Sequence, residues 1–276
     1  MTVFPSESET DTTLEIPLQR FNIKVGRENE IANKVRQALV KNEYFSLDEN
    51  GTELYYEIYG RGEHKILFIN ASGRSLDDYR HLISRFLDLN QFQMCTYDHR
   101  TTGMSKGKLQ RLSTALLAQD IEKLIAHLQW GQVNIIAHSM GSFTALELLL
   151  HNPNYIQSGF LMGCSSGYWR PSFTTIGRTI LQAFACSSKQ QKEIEAPVSY
   201  SKQFLSEYQE DLQMTGLEYV CQDQEYSPIC EENGSFLVSI SEYRACMSHF
   251  VDEKGLEEVK QTNIPILIAH GTADNV

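Results

Sequence analysis

Ser139 lies in Ile135-Ile136-Ala137-His138-Ser139-Met140-Gly141-Ser142. An apolar, β-branched run ends, one serine follows, and a helix-forming segment starts at once. Small residues sit two places before the serine (Ala137) and two places after it (Gly141). A nucleophilic serine needs this pattern: a sharp strand-to-helix turn makes its hydroxyl project from the sheet, and bulky neighbours would clash across the turn. The next backbone N–H, that of Met140, then faces the oxyanion that forms when an acyl carbonyl is attacked, reinforced by the positive end of the helix. The other reading is a serine that caps the helix N-terminus.

The elements that must hold this turn are legible around it. Glu28 to Val40 carries Ile31, Val35 and Leu39 at helical spacing. Two strand-like runs, Tyr44–Leu47 and Leu54–Tyr59, flank Asp48-Glu49-Asn50-Gly51, whose Asn-Gly predicts a hairpin. Lys65–Ile69, Gln93–Tyr97, Val133–Ala137, Phe160–Met162 and Ile264–Ala269 read as buried strands. Ser75-Leu76-Asp77-Asp78 opens a helix to Leu87, Ser113–Gln129 is a second helix, and Met140–Leu150 a third. Such alternation implies a mostly parallel sheet with helices on both faces. Residues 167–260 break it and read as a helical insertion over the sheet.

Four stretches, in order, resemble the α/β-hydrolase superfamily. His138-Ser139-Met140-Gly141 is similar to the nucleophile elbow G-x-S-x-G, with Ala137 for the first glycine. Asp98-His99-Arg100-Thr101-Thr102-Gly103-Met104-Ser105 resembles the D-x-R-G-x-G-x-S turn, with Thr101 in place of a glycine; Asp98 and Arg100 are expected to brace loops. Ile66–Gly73 resembles the strand and His-Gly loop that complete the oxyanion hole, which assigns the second donor to Ser72, although Asn70-Ala71 stands where His-Gly is usual. Ile264–Asp274 resembles the late strand and acid loop, which makes Asp274 the carboxylate that orients a catalytic histidine.

The resemblance implies an α/β-hydrolase fold: a tail over residues 1–27, core over 28–165, a lid insertion over 166–260, and core again over 261–276. It implies a serine hydrolase of carboxylic esters, similar to monoacylglycerol lipase-type enzymes, working through an acyl-enzyme on Ser139. In the superfamily the histidine follows the acid after one more helix and strand, whereas this sequence ends at Val276. The reading is therefore an incomplete chain lacking its last strand and helix, with Ile264–Ala269 an apolar sheet edge. His138, His249 and His270 are poorly placed as substitutes, and His64, His81, His99, His127 and His151 fall on surface loops or helices by pattern. The rival is a non-catalytic protein of this fold that binds a ligand or partner.

Composition narrows the rest. With 24 Lys and Arg against 35 Asp and Glu, the net charge of −11 argues against nucleic acid. No apolar run reaches the length of a membrane helix, and the start is unlike a secretory signal, which points to the cytoplasm. The 6 cysteines lack zinc spacing, and no P-loop or dinucleotide fingerprint occurs, so neither metal nor cofactor is expected. The expected partner is a small-molecule ester; Tyr168, Trp169, Phe173, Phe184, Phe204 and Tyr208 in the insertion read mostly as that segment's own small core, the other reading being the lining of a pocket for a lipophilic acyl group. Glu207, Glu210, Asp211, Glu231 and Glu232 there read as a solvated face.

Overall fold

The computed structural model describes residues 26–167, 200–209, 214–223 and 236–271, with single positions 177, 190, 193, 194, 196 and 197 between them. Helix α1 (Gly26–Gln37) leads into strands β1 (Leu39–Ser46) and β2 (Glu53–Tyr59). Leu39, expected in the helix, starts β1 and pairs with Tyr59, because antiparallel pairing to β2 takes over there. The predicted hairpin turn is present: the Asp48 carboxylate accepts from the Asn50 and Thr52 N–H groups at 2.9 and 3.1 Å, and Gly51 takes φ 83°.

Strand β3 (His64–Ile69), a 3₁₀ turn (Leu76–Tyr79), α2 (Arg80–Leu89), β4 (Phe92–Tyr97), α3 (Thr114–Leu128), β5 (Val133–His138), α4 (Met140–His151) and β6 (Ile156–Met162) follow. The helix expected from Ser75 thus begins as a 3₁₀ turn capped by the Ser75 hydroxyl. Ser113 caps α3 by accepting from the Leu116 N–H at 3.1 Å. Beyond come α5 (Lys202–Ser206), a short hairpin β7 (Tyr208–Gln209) and β8 (Met214–Thr215), α6 (Gly216–Asp223), α7 (Phe236–Ser248), α8 (Glu253–Gln261) and β9 (Ile266–Ala269).

The main sheet, among the described residues, runs β1-β2-β4-β3-β5-β6-β9. Strands β4, β3, β5, β6 and β9 are parallel; β1 and β2 are an antiparallel flank. Alternation along β3 sends Leu67 and Ile69 to one face, with Ile121, Ile135 and Leu161, and Ile66 and Phe68 to the other, with Val35, Ile83 and Met94. Both faces of β3 are buried, which explains its unbroken apolar run. Leu267 and Ile268 of β9 are 64% and 60% exposed.

The insertion departs and returns at one point: Gly167 bridges Phe250, and the Val251 N–H donates to the Ser166 carbonyl at 2.6 Å. It is not wholly helical, since β7 and β8 pair within it. Val251 and Val259 pack into the main cluster under α4, so α8, read from the sequence as insertion, is core. Residues 1–25 lie outside the described residues, as do Tyr168, Trp169, Phe173, Phe184, Glu210, Asp211, Glu231 and Glu232. Of the insertion residues named above, Phe204 stacks on Tyr200 at 5.4 Å, while Tyr208 and Glu207 are exposed.

Candidate active site

Ser139 joins β5 to α4 with φ 51° and ψ −119°, a conformation costly for a side chain with a Cβ. Its hydroxyl makes no capping hydrogen bond to α4, so the plain helix-cap alternative has no support in the geometry. The strain is held by the backbone: the Ser139 N–H donates to the Met162 carbonyl at 2.8 Å, and the Ser139 carbonyl accepts from Ser142 and Phe143. The Ser142 hydroxyl adds bonds to the Ala137 and Met162 carbonyls at 2.9 and 2.8 Å. Ser139 itself is partly exposed at the C-terminal rim of the parallel strands, where open α/β sheets bind ligands.

Met140 is the buried first residue of α4. The loop carrying Ser72 leaves β3 directly alongside. Asn70, in the place of the usual histidine, is buried; its side-chain amide donates to the Tyr97 carbonyl at 3.1 Å. The Tyr79 hydroxyl donates to the Ile69 carbonyl at 2.7 Å, and His99 Nε2 lies 3.0 Å from the Asn70 carbonyl. His99, expected on a surface loop, is 1% exposed, and burial lowers its pKa to about 4 against the pull of that carbonyl. Its neutral ring is a brace for the loop.

Asp98 and Arg100 do brace loops. The Asp98 carboxylate accepts from the Leu76 and Met104 N–H groups, each at 2.8 Å. Arg100 grips Asp120 with two parallel bonds, Nε to Oδ2 at 2.6 Å and a second from the terminal nitrogen to Oδ1. Burial pushes the Asp120 carboxyl up, with Arg100 opposing. Thr101, in the place of a glycine, holds φ 66°.

Asp274 lies outside the described residues. The strand before it is placed: Gly163 donates to the Ala269 carbonyl at 2.8 Å, and β6 pairs Met162 with both His138 and Ala269. Positions 139 and 270 therefore sit at the same rim two strands apart, roughly 10 Å. His138 and His270 are exposed. His249 is buried at the insertion's return, 3.0 Å from both Glu147 Oε1 and the Thr114 hydroxyl through Nδ1, and stacked on Phe143 at 5.1 Å. Among the described residues no group of His, Cys, Asp and Glu is arranged to hold a metal. A cavity of about 690 Å³ lies at the opposite ends of the strands, beside Phe86, Phe92, Phe160 and Leu267, away from Ser139.

Sequence reasoning missed one group. Glu242, on α7, is 1% exposed, and its Oε2 accepts from the Ser72 hydroxyl at 3.0 Å and the Gly73 N–H at 2.8 Å. Burial pushes its carboxyl up to about 7 despite those two bonds. Val238, Ser241, Glu242, Ala245 and Cys246 are all buried, a stripe whose helical spacing was the available signal.

A two-faced, mostly parallel sheet with a strained serine at its rim defines an open α/β fold. The chain belongs to the alpha/beta hydrolase fold family, whose model matches residues 65–276. It is 28% identical over 155 residues to serine hydrolase BPHL of Mus musculus, covering 55% of this chain and 53% of that protein. The match thus spans about half the length of that curated relative. Solved structures of similar fold include one from work on carboxylesterases of the thaumarchaeon Nitrososphaera gargenis (TM-score 0.65, 17% identity, 83% of this chain and 80% of that one). An enol-lactonase from Burkholderia xenovorans (0.61, 17%, 84% and 92%) and a bromoperoxidase from Bacillus anthracis (0.60, 16%, 84% and 81%) are also similar. At such identities these structures speak to the fold. No described helix is long and apolar enough to cross a membrane.

Proposed function

We propose that the protein is a serine hydrolase of carboxylic esters that works through an acyl-enzyme at Ser139. The observation that carries this is the Ser139 backbone, held at φ 51° with the hydroxyl unused in capping. Strain of this kind persists only where the surroundings enforce it, and the bond to Met162 does so.

In this reading the Ser139 oxygen attacks the ester carbonyl while a histidine base takes its proton. Asp274 orients that histidine. The N–H groups of Met140 and Ser72 hold the oxyanion, the alkoxide leaves with the proton returned by the histidine, and water then releases the acid. The substrate is a small ester with an apolar acyl part; neither nucleic acid nor a cofactor is needed. A cytoplasmic location fits the sequence.

The rival, a binding protein of the same fold, draws on the replacement of His-Gly by Asn70-Ala71. Turnover of short p-nitrophenyl esters by the full-length protein decides between them. Hydrolysis that falls by about 10⁴-fold or more in Ser139→Ala supports the enzyme. Turnover unchanged in that variant, or absent from the folded wild type, supports the rival.

A further inference from the structure

Helix α7 touches both halves of the proposed oxyanion hole. Ala245 and Cys246 pack against Met140 and Phe143 at the start of α4. One turn earlier, Glu242 accepts from Ser72 and Gly73 on the loop after β3. The same helix is pinned to the loop before α3, because the Ser241 hydroxyl accepts from the Leu112 N–H at 3.1 Å and donates to the Gln110 carbonyl at 2.7 Å. Loop 70–74 is thus anchored at its start by Asn70 and towards its end by a residue of the insertion.

A carboxylate is an odd choice for a purely structural anchor here. Its other oxygen, Oε1, is buried with no hydrogen-bond partner among the described residues. Leaving such an oxygen unpaired is expensive, and a plain amide or hydroxyl would serve the two donors at lower cost. Groups retained against stability concentrate at functional sites.

We infer that Glu242 is a positioning residue that lets the insertion set the Ser72 N–H against the Met140 N–H, and that it does so more firmly when ionised. This rests on the serine hydrolase reading for its catalytic consequence, but the tether itself is a property of the loop. With α7 still packed, the ionised carboxylate accepts both bonds with full charge and the neutral acid accepts more weakly, so ionisation tightens this tether even though burying the charge costs global stability. Burial sets the change of state near pH 7. Among the described residues, the other titratable groups at this place do not compete. Cys246, on the same helix, has its thiol pushed up to about 12 by burial, with the charge of Glu242 adding to it. Arg74, on the loop, is engaged with Asp78 at 3.6 Å. The further donors that face the carboxylate are the Ser72 hydroxyl and the Gly73 N–H, neither of which titrates in this range.

The test is hydrogen–deuterium exchange over residues 71–74 in the full-length protein, with Glu242→Ala and Glu242→Gln, at pH 6 and 8 after correction for intrinsic rates. Wild type should be more protected at pH 8 than at pH 6. The Ala variant should lose roughly tenfold in protection, the Gln variant should keep most of it, and the Gln variant should show no pH response. Kcat on a p-nitrophenyl ester should fall roughly 10- to 100-fold in the Ala variant with KM little changed, and recover in the Gln variant. If the Ala variant does not fold, the Gln variant alone decides: a pH response equal to that of wild type overturns the inference. So does an Ala variant that folds and matches wild type in exchange. A wild type that turns over no ester counts against the hydrolase reading, while the exchange result still decides the tether.

Discussion

Gly141 and Asn70 meet where the elbow helix passes the end of β3: a Cβ on Gly141 would lie 2.7 Å from the Asn70 carbonyl oxygen, and closer still to that of Ile69. The turn at Ser139 and the loop after β3 are therefore in contact, backbone to backbone. This is the reason for a small residue two places after the serine.

Gly141→Ala tests that contact. The neighbours are main-chain atoms at the buried end of β3 and cannot move aside, so the variant should lose about 2–4 kcal/mol in urea unfolding. A loss below about 0.5 kcal/mol would mean that the two segments are not so close.

Thr101 at φ 66° is a β-branched residue in the left-handed region. Both Thr101→Gly and Thr101→Ala remove the buried side chain beyond Cβ, and only Gly relieves the backbone. The Gly variant should be the more stable of the two by about 1 kcal/mol. Equal midpoints would remove the strain from the account.

The buried Glu242 makes stability depend on pH. Burial pushes its carboxyl up to about 7, against the opposing Gly73 and Ser72 bonds. Between the ordinary carboxylate value and 7 the folded chain keeps a proton that the unfolded chain has lost, so this contribution to stability falls as pH rises through that window. The full effect is about 3 kcal/mol. The Tm of Glu242→Gln minus that of wild type should therefore climb from pH 5 to pH 8; a constant difference would contradict the assignment.

His249, Glu147 and Thr114 converge within 3.0 Å and join the insertion's return to α4 and α3. Burial pushes the Glu147 carboxyl up, but bonds from His249 and Thr114 outweigh it and hold the carboxyl below the ordinary value. His249→Ala removes the buried partner of that carboxylate, leaving it Thr114 and the more exposed His151, and should cost about 2–4 kcal/mol. The folded variant should still react with a fluorophosphonate at the wild-type rate. Loss of labelling without loss of stability would make His249 the base instead.

The parallel core was legible because its strands are short apolar runs, such as Ile66–Ile69, between helices with clear caps such as Ser113. The Asn-Gly hairpin and the strand–Ser139–helix turn were legible for the same local reason. What escaped depended on distant partners. Leu39 fits a helix by spacing, yet the pairing to Tyr59 decides its fate. His99 looks like a loop residue until the Asn70 carbonyl is placed above it. Glu242 lies 169 residues from Gly73, and nothing local ties a glutamate in the insertion to the loop after β3.

The central claim is that Ser139 is a nucleophile, and covalent labelling tests it most directly. The full-length protein would be treated with a fluorophosphonate and read by intact mass and peptide mapping, beside Ser139→Ala. The account predicts one adduct, on Ser139, absent from the variant. An unlabelled wild type that is folded, or an adduct that persists in Ser139→Ala, would contradict it.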